Sequence, residues 1–200
     1  MCVQENNACP LLKVLNFKSF NTAIMPDCGN PRWFGEKVLT IRKATLEDLG
    51  CITKIYNDAI LYTVATFDTD QKTMEEQEAW FKNHDENHAV VVAEENGSIS
   101  GWASLSKYSD RCAYSGTAEV SLYVDKEHRR KGVGRKLLQA IVDEGQRSGL
   151  HTLIARITDE NIVSIKLFAS EKFENVGVMR EVGRKFGRSL DVRIMQRVFN

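Results

Sequence analysis

Proline is absent from the whole stretch between Arg32 and Asn200: the three prolines of this 200-residue chain, Pro10, Pro26 and Pro31, all precede it. Three of the five cysteines, Cys2, Cys9 and Cys28, fall in the same early segment. That compositional step predicts an N-terminal extension over residues 1–36 and one folded domain over 37–200. An odd number of scattered cysteines excludes a disulfide framework and suits a reducing, cytoplasmic compartment. Long apolar runs are missing too. The greasiest strings, such as residues 89–93, have the length of a strand, far short of the roughly 20 residues a membrane-spanning helix needs. Residues 11–20 are interrupted by Lys13, Asn16 and Lys18, so no secretory signal is expected there. Neither sign of charge is in excess, with 27 Lys and Arg against 27 Asp and Glu. The chain as a whole therefore attracts neither nucleic acid nor an anionic membrane. The histidines, His84, His88, His128 and His151, have no paired-ligand spacing, and no metal is expected.

What is present alternates in type. Residues 38–43 read as a strand. Thr45 stands three residues before Asp48 as a helix start, and Leu46, Leu49, Ile52, Ile55, Ala59 and Ile60 follow at helical spacing. Thr73 to Glu76 opens a second helix. Two strands, 90–94 and 99–107, flank Asn96-Gly97, a hairpin signal. A strand over 117–124 precedes a helix over 134–148 with Leu137, Leu138, Ile141 and Val142 on one face. A strand over 153–157, a helix over 162–171 and strands over 176–181 and 190–198 complete the order β-α-α-β-β-β-α-β-α-β-β. The fold class is α+β with a mixed sheet.

The most informative segment runs from Val124 through Arg129, Arg130, Lys131, Gly132, Val133, Gly134 and Arg135. A strand passes through a short basic loop into a helix. The glycines permit a tight turn and close backbone approach to a ligand. A helix N-terminus offers unpaired N–H donors and the positive end of its dipole, which together hold an anion such as a pyrophosphate. Neither standard nucleotide loop fits: the P-loop spacing is absent, and Leu137 stands where the dinucleotide fingerprint needs its third glycine. By pattern alone the segment is either an anion site or an ordinary basic turn.

Further motifs settle on one resemblance. Arg129-x-x-Gly132-x-Gly134 after a strand is similar to the acyl-CoA pyrophosphate loop of the GNAT superfamily of N-acetyltransferases, and Asn161 to Phe168 is similar to that family's following segment. Tyr56 to Ala59, Ala65 to Phe67, Glu119 to Val124 and Val182 to Gly187 resemble its phosphinothricin and methionine sulfoximine acetyltransferase branch, so that the likeness spans about residues 39–198. The resemblance implies a central, twisted, mostly antiparallel mixed sheet, flanked by about four helices, with its fourth and fifth strands splayed. Acetyl-CoA is the implied co-substrate. The backbone of Leu122, Tyr123 and Val124 would pair with its pantetheine arm, residues 129–135 would hold its pyrophosphate, and Asn161 and Ser164 would contact the arm. It further implies a small amino acid or analogue as acetyl acceptor, direct attack in a ternary complex, and a homodimer. A peptide amine as acceptor, or a CoA-binding sensor without turnover, are the alternative readings.

Acetyl transfer needs a neutral amine, yet an alkyl amine of pKa near 10.4 is almost wholly protonated at pH 7. A base must remove the proton. Glu119 is the only acid on the cofactor-flanking strand and is the candidate, acting directly or through one water. Phe67, Tyr62 and Trp102 are expected to wall the acceptor pocket, with Tyr114 over its entrance and Arg111 receiving a carboxylate. Two departures from the family stand out: Phe168 occupies the position where other members carry a tyrosine as general acid, and Phe186 and Leu190 stand where the herbicide-acetylating enzymes tend to carry histidines. Cys51, beside Ile52 on the first helix, is expected as a small core or boundary residue and Cys112 as a bystander thiol.

Overall fold

The computed structural model describes residues 39–200; the extension expected over residues 1–36 lies outside the described residues. The elements are β1 (Leu39–Lys43), α1 (Leu49–Tyr62), α2 (Met74–Lys82), β2 (Val90–Glu95), β3 (Ser98–Lys107), β4 (Thr117–Val124), α3 (Val133–Arg147), β5 (Thr152–Thr158), α4 (Ile162–Ser170), β6 (Glu174–Lys185) and β7 (Arg188–Val198). They form one seven-stranded sheet of order β1-β2-β3-β4-β5-β7-β6. Every neighbouring pair is antiparallel except β4–β5, which is parallel. The mixed α/β architecture and its element order are those the sequence predicts.

Local chemistry explains the boundaries. Thr73 starts α2 with a reciprocal cap: its hydroxyl accepts from the Glu76 N–H and its own N–H donates to the Glu76 carboxylate. Asn96 and Gly97 both adopt positive φ, 53° and 78°, as a two-residue hairpin of the favoured twist requires. Thr45 begins a single 3₁₀ turn, Leu46–Asp48, and α1 follows from Leu49. The carboxylate of Asp48 accepts two bonds from the Arg42 guanidinium at 2.7 and 2.8 Å, tying that turn to β1.

Two apolar clusters hold the layers. On one face of the sheet, Leu137, Leu138 and Ile141 of α3 are fully buried against Leu105, Val120 and Leu153. Burial of each such side chain is worth about 1.5–3 kcal/mol. On the other face, Leu49, Ile52 and Ile55 of α1 pack on Val90, Val92 and Trp102. Cys51 corrects its expectation: it lies on the outer side of α1 and is exposed, because Leu49, Ile52 and Ile55 take the inward positions. Tyr62, at the end of α1, is 75% exposed and walls nothing.

Candidate active site

The register of β4 creates the site. Only Thr117, Ala118 and Glu119 pair with β5; from Val120 onward the two parallel strands part. On the other side β4 stays paired with β3 along its full length, Ala118 to Val124. In an antiparallel ladder, alternate residues direct both backbone groups at the same neighbour. The Asp125 N–H bond to the Ser100 carbonyl and the Tyr108 N–H bond to the Thr117 carbonyl fix the phase. The odd-numbered residues, Tyr123 included, therefore spend their backbone on β3. Leu122 and Val124 turn theirs toward the gap left by β5. The expectation for Tyr123 is corrected accordingly: its backbone is engaged with Trp102, and only its side chain reaches the site.

The basic loop closes the far end of this gap. Arg130 and Gly132 adopt positive φ, 61° and 84°, and Gly132 precedes the first residue of α3 with no side chain capping the helix. The first N–H groups of α3 thus stay available. Arg129, Arg130, Lys131 and Arg135 are exposed around them, and the Arg129 Nε–H reaches back to the Val124 carbonyl at 3.2 Å. Val133 is buried in the core, so it contributes its backbone alone. Gly134 sits against Leu122, Val124 and Leu167, where an added Cβ would meet ordinary contacts of 3.4–3.8 Å. At the start of α4 the Asn161 Oδ1 accepts from the Ser164 N–H, so its amide NH₂ is the part left to donate.

A cavity of about 460 Å³ spreads from the splayed edge, lined among others by Glu119, Ser121, Leu122, Asn161, Ser164 and Phe67. Its roof is the α1–α2 connection. The Lys185 ammonium donates to the Thr66 carbonyl at 2.7 Å, the Thr158 hydroxyl donates to the Val64 carbonyl, and the ring of Phe67 lies so close over Gly183 that no side chain fits there. Burial pushes the Lys185 ammonium below the ordinary lysine range, against the opposing pull of Asp68.

Arg156 of β5 also lines this cavity and was not foreseen from sequence. Its Nε and Nη2 each donate to a different oxygen of Glu119 at 2.7 Å. This pairing holds the guanidinium above its ordinary range. The usable signal was a lone cation between Ala155 and Ile157, on the strand that parts from Glu119. Deeper in, the Tyr56 hydroxyl donates to Asp68 at 2.9 Å and lies 3.1 Å from the Thr66 hydroxyl; burial first, and Asp68 beside it, push it up to about 12. Tyr123, stacked edge-on to Tyr56 at 5.0 Å, is also pushed up by burial. Phe168 is buried against Phe173 at the cavity wall and offers no proton.

Besides Tyr62, three expected residues are not brought together with Glu119. Arg111 and Tyr114 lie in the exposed β3–β4 loop, where Tyr114 packs edge-on to Tyr108, and neither lines the cavity. Trp102 is core beneath α1 and lines a separate chamber. Among the described residues no three His, Cys, Asp or Glu side chains group as metal ligands.

A glycine-bearing helix start beside a split parallel pair agrees with comparison to known proteins. The family model for the acetyltransferase (GNAT) domain matches residues 41–194. The chain belongs to the GNAT acetyltransferase family. It is 40% identical, over 79% of its length and 93% of the relative's, to the L-methionine sulfoximine/L-methionine sulfone acetyltransferase of Salmonella typhimurium. It is 38% identical to the L-amino acid N-acyltransferase MnaT of Escherichia coli, over 79% and 92% of the two chains. The GNAT phosphinothricin acetyltransferase of Sinorhizobium meliloti, solved in complex with acetyl-CoA, superposes with a TM-score of 0.78 at 35% identity, covering 81% of this chain and 89% of that one. Within this GNAT domain the β4–β5 gap, the start of α3 and the start of α4 fit the long, bent, anionic shape of acetyl-CoA: an unpartnered strand edge for its amide-bearing arm, and N–H donors with exposed cations for its pyrophosphate.

Proposed function

We propose that the protein transfers acetyl from acetyl-CoA to the amine of a small amino acid or analogue, in a direct ternary complex. The observation that carries this reading is the position of Glu119, at the last paired residue before β4 and β5 part. Glu119 lines the 460 Å³ cavity together with Leu122, which supports a meeting there of an entering amine with a thioester lying along the Leu122–Val124 edge. Acetyl-CoA supplies the activated acyl group. The chain supplies position and proton transfer. Leu122 and the Val124 N–H offer backbone groups to the arm, and the Leu122 N–H stabilises negative charge developing on the thioester oxygen. Glu119 accepts the amine proton, directly or through one water, as the N–C bond forms and the C–S bond breaks. A thiolate of pKa roughly 8.5 leaves without a proton donor, which accords with Phe168 at the wall. Arg156 orients Glu119 through its two-point contact.

Phe67 and the aromatic ring of Tyr123 border the acceptor's space; Arg111 and Tyr114 have no part in it. The similarity to named amino-acid acetyltransferases supports a small acceptor, as does the size of the cavity. A cytoplasmic, homodimeric enzyme is the corresponding proposal for its setting. Thiol release from acetyl-CoA with a panel of free amino acids tests the reaction: release with amino acids and not with peptides of blocked N-terminus is expected, and binding of CoA without release for any amine contradicts it.

A further inference from the structure

Three charged residues line the 460 Å³ cavity, Glu119, Asp68 and Arg156, and Arg156 is the one cation among them. Other cations of the domain are placed elsewhere. Lys185 spends its ammonium on the Thr66 carbonyl and does not line the space. Lys72 pairs with Asp68 at 3.1 Å and borders a neighbouring chamber. Arg129, Arg130, Lys131 and Arg135 surround the start of α3, outside this lining.

Arg156 also has donors to spare. A guanidinium carries five N–H donors in a rigid planar fork. Glu119 takes one edge, Nε to Oε1 and Nη2 to Oε2, each at 2.7 Å. The adjacent edge, made by Nη1 and the second Nη2 hydrogen, bonds to none of the described residues. It has the same two-point geometry as the occupied edge and suits a second carboxylate. The side chain is 57% exposed, so a solute in the cavity can reach it.

Distances then select the ligand. Carboxylates on the two edges bring their nearest oxygens to roughly 5 Å, since each accepts from Nη2 at ~2.8 Å along directions about 120° apart. In an α-amino acid the nitrogen lies ~2.7 Å from the nearer carboxylate oxygen. An α-ammonium therefore fits between the two oxygens and donates to Glu119 at ordinary hydrogen-bond length. The Glu119 carboxylate accepts at about four positions, and Arg156 occupies only one on each oxygen. A zwitterion meets opposite charge at both ends, its ammonium on Glu119 and its carboxylate on Arg156.

We infer that Arg156 holds the acceptor's α-carboxylate on this second edge, and so selects free α-amino acids over amines whose carboxyl end is neutral or blocked. The inference rests on the transferase reading above and adds a direct acceptor contact to the orienting role of Arg156.

The test compares L-methionine sulfone with its α-carboxamide, in which a neutral amide replaces the carboxylate, in the intact protein and in its Arg156→Gln and Arg156→Lys variants. Loss of the orientation of Glu119 should lower kcat alike for both acceptors. Loss of the carboxylate contact should raise KM for the acid alone, so the acid-to-amide ratio of kcat/KM should fall about tenfold in Arg156→Gln. Comparing each variant's ratio with that of the wild-type protein removes the difference in amine basicity between the two acceptors. Arg156→Lys keeps the charge without the fork and should recover part of the ratio. An unaltered ratio in Arg156→Gln overturns the inference and leaves the transferase reading standing. No thiol release with either acceptor, or with any other free amino acid, overturns both.

Discussion

Arg156 forks across both oxygens of Glu119, Nε to one and Nη2 to the other, each at 2.7 Å. The two residues come from adjacent strands at the point where those strands part, so the ion pair marks the mouth of the gap. It fixes the carboxylate's orientation, as the general-base role proposed for Glu119 requires. Because the Arg156 side chain is 57% exposed, the pair adds little to folding, about 1 kcal/mol or less.

Replacing Glu119 by Gln keeps the side chain's size and removes the base. Turnover should fall by about 100-fold or more while acetyl-CoA affinity stays within about twofold, and the pH–rate profile should change shape. Steady-state kinetics across pH, with CoA binding by calorimetry, check this; an unaltered pH–rate profile would exclude Glu119 as the base.

Arg156→Ala should lower turnover about tenfold, less than the loss of Glu119 itself, because the base survives without its orienting partner. Its thermal unfolding midpoint should barely move. A drop equal to that of Glu119→Gln would instead place Arg156 in direct contact with the reacting groups.

Gly183 and Gly134 are expected to separate the two halves of the site. A Cβ at Gly183 would fall 2.1 Å from the Phe67 ring, so Gly183→Ala must displace the α1–α2 connection. It should raise KM for the acceptor several-fold and cost about 1–3 kcal/mol of stability, with CoA binding retained. Gly134→Ala meets only ordinary contacts and should bind CoA, whereas Gly134→Trp should abolish binding.

Asp48 predicts an acid limb in stability. The Arg42 hydrogen bonds hold its carboxyl below the ordinary 3.8, in opposition to burial. A group depressed in the folded state stabilises fully above its unfolded pKa and loses that contribution as pH falls through the folded value. Denaturant unfolding should therefore weaken below about pH 4. Asp48→Asn should lower stability at pH 7 and flatten that part of the profile.

The element order was legible because each element carries its own local signal: the Thr73–Glu76 cap, the Asn96-Gly97 turn and the apolar face of α3 were all read correctly. The last hairpin was less legible. β6 extends to Lys185 past an irregular stretch between Met179 and Gly183, and its turn places Phe186 at positive φ, which no propensity suggests. The sequence also marked the basic loop that opens α3, since glycine, charge and helix start are contiguous there. It did not reveal Arg156, because Arg156 meets Glu119 only through strand register. The misplacement of Arg111 and Tyr114 has the same origin: proximity to β4 in sequence says nothing of which way a loop folds.

Amide hydrogen exchange at β4, with and without CoA, tests the central claim most directly. Saturating CoA should strongly slow exchange at Leu122 and Val124, whose N–H groups face the gap, and leave Tyr123, already bonded to Trp102, little changed. Binding of CoA with no added protection at Leu122 and Val124 would contradict the account.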